Sequence, residues 1–525
     1  MTNPYILDDQ GVQDTLLRDP RLYGAQVQTV ERIDTHGARV YLGGDRVLKL
    51  KRAVAYPYMD LSTVALREQA CRNEVTLNRR TAPALYRGVV ALCQMAAGEA
   101  FLHDDDPDLD RATVIDWAVD MNRFPQDRQL DQLARAGTLD APVIDQLADR
   151  IADFHQAAAA MRRDNLWAMG WVVRDNAAEL AEMAGTVLPD GAVSRLIALT
   201  DAAFAQHQSD LAHRTAAGWV RRCHGDLHLR NIVLLPDGPA PFDAIDFNDA
   251  LAEVDALYDL AFLIMDLDGL GLRPLANRLL SRYLVRIGDL SGLSLVPLYL
   301  SVRAAVRAKI AASLAMTLVG GSAVGVDAAR LEAVAYLHRA IDDLADRPAQ
   351  LVAIGGLSGT GKTSVARALA PSLDGCPGAL HLRSDAVRKR LAGVSEETRL
   401  PADYYTPAWH ARTFETLHAY ARTALLAGRS VVLDSVYGRT EDRAEVEGLA
   451  RSVGVPFQGI WLEADLATRA GRIIGRTHDA SDADISVAAR QAAWHPGKVS
   501  WSVIDARGDL HDIVARARAS ISSHA

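Results

Sequence analysis

The chain has 525 residues, enough for two or more domains with sizeable cores. Its composition is globular, with 49% hydrophobic and 23% charged residues and no low-complexity tract. The net charge is −9, but residues 351–525 hold 21 Lys and Arg against 19 Asp and Glu. The first 350 residues are therefore the acidic part, which argues against broad nucleic-acid binding there.

Cysteine content and hydropathy indicate the compartment. The four cysteines form no CxxC pair, which favours a reduced compartment without structural zinc. Residues 1–10 lack the basic and apolar segments of a secretory signal, and no apolar run reaches membrane-spanning length. We therefore expect a soluble, cytoplasmic protein without a membrane partner.

A β-hairpin is predicted near the N-terminus, with strands at residues 39–42 and 46–52 around Gly43-Gly44-Asp45. Lys49 and Lys51 fall on the same face of its second strand. This pair has two interpretations, a solvated edge strand or a lysine directed at nucleotide phosphates, and either lysine fits the second.

The next predicted elements contain further candidate residues of a nucleotide site. A helix predicted for residues 62–78 contains Glu74, which would pair with the strand lysine or lie on the surface. A strand predicted for residues 113–121 ends near Met121. A long helix, with apolar residues on one stripe, is predicted for residues 142–161.

The segment His224-Gly225-Asp226-Leu227-His228-Leu229-Arg230-Asn231 is the next cluster with chemical character. Asp226 precedes Asn231 by five residues, the offset of the kinase catalytic loop, where the Asp accepts the proton of a substrate hydroxyl. A short hairpin is predicted to follow, with strands at residues 232–235 and 242–247 and Asp246 at the end of the second. Oxygens of Asn231 and Asp246 would suit Mg²⁺. The alternative is a tight turn with local hydrogen bonds.

Residues from about 35 to 310 resemble the aminoglycoside phosphotransferase family, a branch of the protein-kinase-like fold. The matching residues are the loop just quoted, Ile245-Asp246-Phe247, and the run from Asp255 to Asp259 before Leu260-Ala261. The resemblance implies a small N-terminal lobe, a larger helical lobe and ATP between them near Met121. It also implies Asp226 as base and Asn231 and Asp246 as magnesium ligands, and we place His228 on the acceptor side.

The sequence departs from that family in two respects. Two lysines, Lys49 and Lys51, fit the place of the one that meets the phosphates. No GxGxxG loop that would cover the nucleotide precedes residue 50. The matching motifs identify phosphotransfer machinery rather than an aminoglycoside, so antibiotic resistance does not follow.

The C-terminal part contains a predicted phosphate-binding loop, Gly356-Leu357-Ser358-Gly359-Thr360-Gly361-Lys362-Thr363. An apolar strand at residues 351–354 precedes it and a helix at 364–369 follows, which is the context this motif requires. The glycines let backbone N–H groups converge, and Lys362 would reach the β- and γ-phosphates while Thr363 holds magnesium. The predicted nucleotide contacts are Gly356, Gly359, Thr360, Gly361, Lys362, Thr363 and Ser364.

Residues 351–525 resemble small P-loop kinases, the class that contains gluconate kinase-like and polynucleotide kinase-like proteins. A strand ending at Arg383 and a helix after it place Asp385 to orient or deprotonate an acceptor hydroxyl and Arg388 to hold an anionic acceptor. Asp434 ends another apolar strand and resembles the acid that assists magnesium. The resemblance suggests an arginine-bearing lid with Arg472 and Arg476, although ordinary surface arginines are the alternative.

The sequence thus predicts a bilobal protein-kinase-like α+β domain at residues 1–347 and a P-loop α/β domain with a parallel sheet at 348–525. We expect an ATP- and Mg²⁺-dependent phosphotransferase that acts on a hydroxyl of a small molecule, with a second ATP-binding module. Two alternatives remain: a regulatory protein with one silent module, and a nucleic-acid end-phosphorylating kinase, which the near-neutral C-terminal charge disfavours. The acceptor, the choice of ATP or GTP and the oligomeric state are not determined by the sequence.

Overall fold

The computed structural model describes residues 5, 7, 10–56, 59–95, 98–104, 112–317, 323–475, 480–492 and 496–522. The chain divides into two compact units. The first unit comprises residues 1–139, 154–163 and 218–259, and the second comprises 140–153, 164–217 and 260–525. The predicted domain division at residue 347 lies within the second unit, and independent folding on either side of it stays a prediction.

The first 139 residues form a mostly antiparallel sheet with one long helix against it. In chain order the elements are α1 (Gly11–Leu17), β1 (Glu31–Asp34), β2 (Ala38–Gly43), β3 (Arg46–Lys51), β4 (Ala55–Tyr56), β5 (Met59–Asp60), α2 (Val64–Asn78), β6 (Tyr86–Met95), β7 (Ala100–Asp104), β8 (Ala112–Asn122) and α3 (Leu130–Arg135). The six main strands lie in the order β1-β2-β3-β8-β6-β7, and each neighbouring pair is antiparallel.

The predicted hairpin is confirmed by the pairing of β2 with β3. Because β3 also pairs with β8, it is an interior strand, and the interpretation of the two lysines as a solvated edge strand is wrong. Alternation along β3 places Leu48 and Leu50 in one core and Val47 in the other, with Cys71 and Val75 of α2.

Residues 141–216 contain four helices joined by short loops. The elements are α4 (Ala141–Ala157), α5 (Asn165–Met183), α6 (Asp190–Gln206) and α7 (Gln208–Ala216). The helix predicted for residues 142–161 is α4, which ends four residues earlier than predicted. Of the predicted stripe, Leu147 and Ile151 are buried, whereas Val143 and Phe154 are only partly buried.

Residues 220–255 contain short elements, namely β9 (Val220–Arg222), β10 (Ile232–Leu235), β11 (Gly238–Pro241), α8 (Asp249–Ala252) and β12 (Glu253–Asp255). The strand predicted for residues 242–247 is wrong, because β10 pairs with β11 across a tighter turn at Pro236-Asp237. The backbone of Asp243 is left-handed, with φ 62°, which interrupts an extended strand. Asp246 therefore lies in an irregular segment rather than at a strand end.

Four long helices complete the part of the chain before residue 344. They are α9 (Ala256–Gly269), α10 (Arg273–Ile287), α11 (Val296–Thr317) and α12 (Ala323–Asp343). Among the described helices of the chain, none is both long and apolar enough to cross a membrane.

The C-terminal part contains a five-stranded parallel sheet with helices between its strands. Its elements are β13 (Leu351–Gly356), α13 (Lys362–Leu369), β14 (Leu380–Arg383), α14 (Ser384–Leu391), α15 (Pro407–Leu426), β15 (Val431–Asp434), α16 (Thr440–Val453), β16 (Phe457–Glu463), α17 (Leu466–Ile474), α18 (Ile485–Ala492), β17 (Ser502–Asp505) and α19 (Leu510–Ser522). The strands lie in the order β14-β15-β13-β16-β17. The predicted P-loop α/β fold is confirmed by this sheet and by the loop between β13 and α13.

Short 3₁₀ helices occur in both units, at Pro20–Tyr23, Gln126–Arg128, Leu229–Asn231, Leu293–Leu295, Ala370–Ser372 and Ala402–Tyr405.

Within the second unit, α10 contacts the start of β14. The buried Asn277 side chain donates to the backbone oxygen of Ala379 at 2.8 Å, and the backbone N–H of His381 donates to the Ser281 hydroxyl at 3.1 Å. These bonds join the helical region directly to the parallel sheet.

Candidate active sites

The loop after β9 is anchored from beneath by a buried carboxylate. The backbone N–H groups of His224 and Gly225 donate to the two oxygens of Asp259 at 3.1 and 2.8 Å. The Nε2 atom of His155 also lies 3.1 Å from Asp259, and both side chains are fully buried. Gly225 has φ 85°, and a Cβ there would lie 2.9 Å from the backbone oxygen of Leu251. The anchoring role of Asp259 was not predicted from the sequence.

The anchored loop brings three predicted residues together. The Asn231 amide donates to Asp226 Oδ2 at 3.0 Å and to the Asp226 backbone oxygen at 3.1 Å. The Nε2 atom of His228 lies 3.3 Å from Asp226 Oδ2. The Asp226 side chain is 40% exposed, which leaves it accessible to an acceptor hydroxyl. Because the amide nitrogen of Asn231 donates to Asp226, the amide oxygen is its donor atom for a cation.

Five charged side chains form a cluster in the first unit. Glu74 accepts from Lys49 at 2.8 Å through Oε1 and forms an ion pair with Lys51, whose Nζ atom lies 2.6 Å from Oε2. Lys49 also donates to Asp243 at 2.5 Å, and Lys51 donates to Asp246 at 2.5 Å. The predicted pairing of Glu74 with a strand lysine thus occurs twice, whereas Asp243 was not predicted.

The electrostatics of this cluster follow from burial and opposite charge. Although burial by itself raises the pKa of Glu74, the two lysine ammonium groups lower it to about 2. Burial opposes the charged form of both lysines, but the neighbouring carboxylates raise the pKa of Lys49 and of Lys51 above the ordinary value. Burial raises the pKa of Asp246. Both lysines therefore carry a positive charge at neutral pH.

Met121, the predicted contact at the nucleotide cleft, lies in β8 opposite Val47. Its side chain is buried in the core that the sheet shares with α2. The structure thus places Met121 on the strand next to β3, and its contact with a nucleotide stays a prediction.

The chemistry of the donors tests whether Mg²⁺ fits the first unit. Asn231 offers an amide oxygen and Asp246 a carboxylate that is 6% exposed, both hard oxygen ligands of the kind Mg²⁺ prefers. These two residues fit the ion.

In the second unit, the phosphate-binding loop has the backbone its sequence predicts. Gly359 and Gly361 have φ of 87° and 95°, and α13 begins at Lys362, two residues before the predicted start. A Cβ at Gly359 would lie 2.6 Å from the backbone oxygen of Arg469, and one at Gly356 would lie 2.6 Å from that of Leu462. Only glycine fits at positions 356 and 359, because φ is positive at both and the neighbouring backbone is close to where a Cβ would lie.

The predicted magnesium residues of the second unit contact each other. The Thr363 hydroxyl donates to Asp434 Oδ2 at 2.5 Å, and Arg383 Nε lies 3.6 Å from the same oxygen. Burial by itself would raise the pKa of Asp434, but contacts with His381 and Arg383 hold that pKa well below its usual range. A hydroxyl beside an ionised carboxylate fits Mg²⁺. His381 and Arg383 were not predicted as site residues. Their spacing of two residues, which places them on the same face of β14, is the sequence pattern that could have indicated them.

The predicted acceptor residues lie in α14, Asp385 in its first turn and Arg388 in its last. Arg388 lies 3.8 Å from Asp385, and its guanidinium lies over the Tyr405 ring at 4.7 Å. Arg388 is buried, and its Nε atom has no hydrogen-bond partner within the described residues. The Tyr405 hydroxyl donates to Asp482, which also accepts from the buried Lys389. Tyr405 and Asp482 were not predicted.

The predicted lid residues and loop side chains bond mainly to backbone. Arg472 donates to the backbone oxygens of Thr360 and Ala506 at 3.0 and 2.8 Å, so it secures the loop in this structure. The Thr360 hydroxyl and the Lys362 ammonium both donate to the backbone oxygen of Leu357. Arg476 lies outside the described residues.

One cavity of about 1020 Å³ connects these groups. Its lining includes the loop residues from Ser358 to Ser364, together with Asp385, Arg388, Tyr405, Asp434, Arg472 and Asp482. Predicted phosphate, magnesium and acceptor residues of the second unit therefore share one space.

Several known proteins are similar to parts of the chain. Residues 351–497 match the family model described as an AAA domain. A gluconokinase from Sinorhizobium meliloti 1021 is 22% identical, covers 34% of this chain and 93% of its own, and has a TM-score of 0.24. A choline kinase from Cryptosporidium parvum Iowa II is 10% identical, covers 62% of this chain and 94% of its own, and has a TM-score of 0.39.

Mycobacterial relatives match most of the chain. The uncharacterized protein Rv2004c of Mycobacterium tuberculosis is 32% identical over 476 residues, which are 88% of this chain and 90% of the relative. The similarity spans both units rather than one module. The chain therefore belongs to the same family as this mycobacterial protein.

Proposed function

We propose that the chain is an ATP-dependent phosphotransferase that transfers the γ-phosphate to a hydroxyl of a small molecule at the first unit's site. The P-loop domain is a second ATP-binding kinase module. The observation that supports this most is the fixed Asp226 carboxylate, which Asn231 orients in a loop anchored by Asp259. An exposed, oriented carboxylate next to a cation-binding amide oxygen is the arrangement that phosphoryl transfer requires.

In the chemical step, the acceptor oxygen forms a bond to the γ-phosphorus while the bond from that phosphorus to the β,γ-bridging oxygen breaks. ADP leaves, and the proton of the acceptor hydroxyl passes to the carboxylate of Asp226. Asn231 keeps that carboxylate in place, and Asp259 keeps the loop in place through its bonds to backbone N–H groups.

Lys49 is the lysine that meets the phosphates. Its side chain is 14% exposed and its partner Asp243 is 46% exposed, whereas Lys51 is 6% exposed between two buried acids. Mg²⁺, when bound, supplies positive charge that neutralises the phosphate oxygens. Asn231 and Asp246 would hold it in the first unit.

In the second unit, Lys362 and the backbone of the loop bind phosphates, and Thr363 and Asp434 would hold Mg²⁺. Asp385 orients or deprotonates a second acceptor, and Arg388 binds an anionic group of it. Arg388 is buried beside this cavity, and its Nε atom has no hydrogen-bond partner among the residues that the structure describes. This supports an anionic acceptor, since a bound anion would accept a hydrogen bond from that Nε–H.

Two single substitutions test the proposal. Asp226→Asn keeps the size of the side chain but removes the base, so transfer should fall about 100- to 10,000-fold while ATP affinity hardly changes. Lys362→Ala should weaken ATP binding at the second unit. Asp249→Asn, which alters an acid that is 70% exposed near the same loop, serves as the control.

The measurement is phosphate transfer from γ-labelled ATP to a library of small metabolites, with ATP hydrolysis followed in parallel. If Asp226→Asn leaves all transfer intact while Lys362→Ala abolishes it, the first unit is a regulatory module and the proposal fails. If each substitution removes a different activity, the chain is bifunctional.

A further inference from the structure

The first unit's site contains two lysines where one would serve to bind phosphates. Lys49 and Lys51 lie two residues apart on the same face of β3, and each binds a different oxygen of Glu74. The lysines differ in their second partner, which is Asp243 for Lys49 and Asp246 for Lys51. This difference gives the two ammonium groups separate roles.

Lys51 is the enclosed lysine. Its side chain is 6% exposed, and those of Glu74 and Asp246 are 1% and 6% exposed. The ammonium lies within 2.6 Å of one oxygen from each acid. Leaving this position would take the lysine charge away from the buried Asp246 carboxylate and leave the buried Glu74 with Lys49 alone, which is costly, so Lys51 stays there when a nucleotide binds.

Asp246 is also the predicted magnesium ligand. Kinases with two Mg²⁺ ions hold both with one Asp and one Asn. Here Lys51 occupies Oδ2 of Asp246, which leaves Oδ1 for a divalent cation. A second divalent cation would have to approach the same carboxylate beside a fixed ammonium, where like charges repel strongly because the surroundings are buried.

We propose that Lys51 is a built-in cation that takes the place of one metal ion at Asp246. The first unit's site then binds a single divalent cation per nucleotide. This inference rests on the proposed function, since it assumes that a nucleotide binds at this site.

The charges of the cluster support the proposal. Two lysines face three acids, so the cluster carries −1 when all five groups are ionised. Loss of the Lys51 charge would leave one lysine against three acids and free both oxygens of Asp246. Such a cluster attracts a second divalent cation.

The test counts Mn²⁺ and nucleotide bound per full-length chain, with Lys362→Ala as the background that silences the second unit. Mn²⁺ is counted by electron paramagnetic resonance in the presence of a non-hydrolysable ATP analogue. We expect one Mn²⁺ and one nucleotide with Lys51 intact, and two Mn²⁺ after Lys51→Met. Lys51→Arg should keep the count at one, and Lys309→Met, at a lysine paired with Asp175 and Glu179, is the matched control.

Two Mn²⁺ at a site with Lys51 intact overturn the proposal and leave the proposed function standing. This count decides the matter even if Lys51→Met does not fold. A count that stays at one after Lys51→Met, in a folded chain, also overturns it, since Lys51 would not be what limits the metal. If no nucleotide binds in the Lys362→Ala background, both proposals fail.

Discussion

Lys49 and Asp243 are 194 positions apart in the sequence, yet the Lys49 ammonium donates to the Asp243 carboxylate at 2.5 Å. Asp243 has a left-handed backbone with φ 62°, a conformation that costs free energy for most residues other than glycine. Its N–H donates to the Tyr86 hydroxyl at 3.1 Å, which helps to hold this turn. The conformation therefore directs an acid at the lysine that we assign to the phosphates.

Asp243→Asn should tighten ATP binding at the first unit. Asn tolerates a left-handed backbone, so the substitution removes one of the two acidic partners of Lys49 without adding strain and leaves its pair with Glu74 in place. An ion pair with one partner this exposed is worth about 1 kcal/mol, and its loss should raise ATP affinity about fivefold. Calorimetric titration in the Lys362→Ala background measures this change.

The control for this prediction is Asp249→Asn, which removes an exposed acid that pairs with Arg222 rather than with Lys49. Its ATP affinity should match that of the parent chain. Weaker ATP binding after Asp243→Asn would mean that Asp243 assists the nucleotide or its metal, contrary to the role assigned here.

Structural features that depend on a few consecutive residues could be predicted from the sequence, whereas contacts between residues far apart in the chain could not. The phosphate-binding loop and its strand and helix follow from residues 351–369, because each signal is local. The Asp226–Asn231 contact follows from a fixed offset for the same reason. The contact of Asp243 with Lys49 could not be predicted, since its partner lies on β3, far away in the sequence. The strand at residues 242–247 was wrongly predicted because the apolar residues there resemble the pattern of a strand.

A cut at residue 347 should lower the stability of the P-loop domain without unfolding it. The cut removes the bonds that Asn277 and Ser281 make to β14, each worth about 1 kcal/mol. We expect residues 348–525 to unfold cooperatively, at a lower midpoint than the same domain in the full chain. Asn277→Ala in the full chain should lower the midpoint in the same direction. A fragment without a cooperative transition would show that the boundary is wrong.

Asp343 makes the stability of the second unit depend on pH. Burial raises the pKa of this carboxyl to about 7, against the attraction of Arg339 at 3.7 Å. An unfolded Asp has a pKa of about 3.9. Between these values only the folded chain keeps the proton, so stability is present at low pH and is lost as pH rises towards 7.

The measurement is the free energy of unfolding in urea at pH 5 and pH 8, for the parent chain and for Asp343→Asn. The loss of stability from pH 5 to pH 8 should be smaller in the variant by about 2 to 3 kcal/mol, because each pKa unit contributes about 1.36 kcal/mol. Equal losses in the two chains would contradict a raised pKa at Asp343.

Gly359→Ala should abolish nucleotide binding at the second unit, and Gly428→Ala should not. Both glycines have a positive φ, 87° and 74°, so alanine strains the backbone at each by about 1 kcal/mol. They differ in space, because a Cβ at Gly359 would lie 2.6 Å from the backbone oxygen of Arg469, whereas nothing lies within 4 Å of one at Gly428. Arg469 cannot simply yield, since its guanidinium donates to the backbone oxygen of Ser358 in the same loop.

The loop must therefore move away from α17, and the N–H groups that would converge on a phosphate move with it. Calorimetric titration with a non-hydrolysable ATP analogue should show two nucleotides per chain for Gly428→Ala and one for Gly359→Ala. Thermal unfolding should detect similar backbone strain in both variants, with an additional loss for Gly359→Ala from the displaced loop. If Gly359→Ala still binds two nucleotides per chain, the close approach of Arg469 does not fix the position of the loop. The prediction that a Cβ at residue 359 abolishes phosphate binding is then wrong.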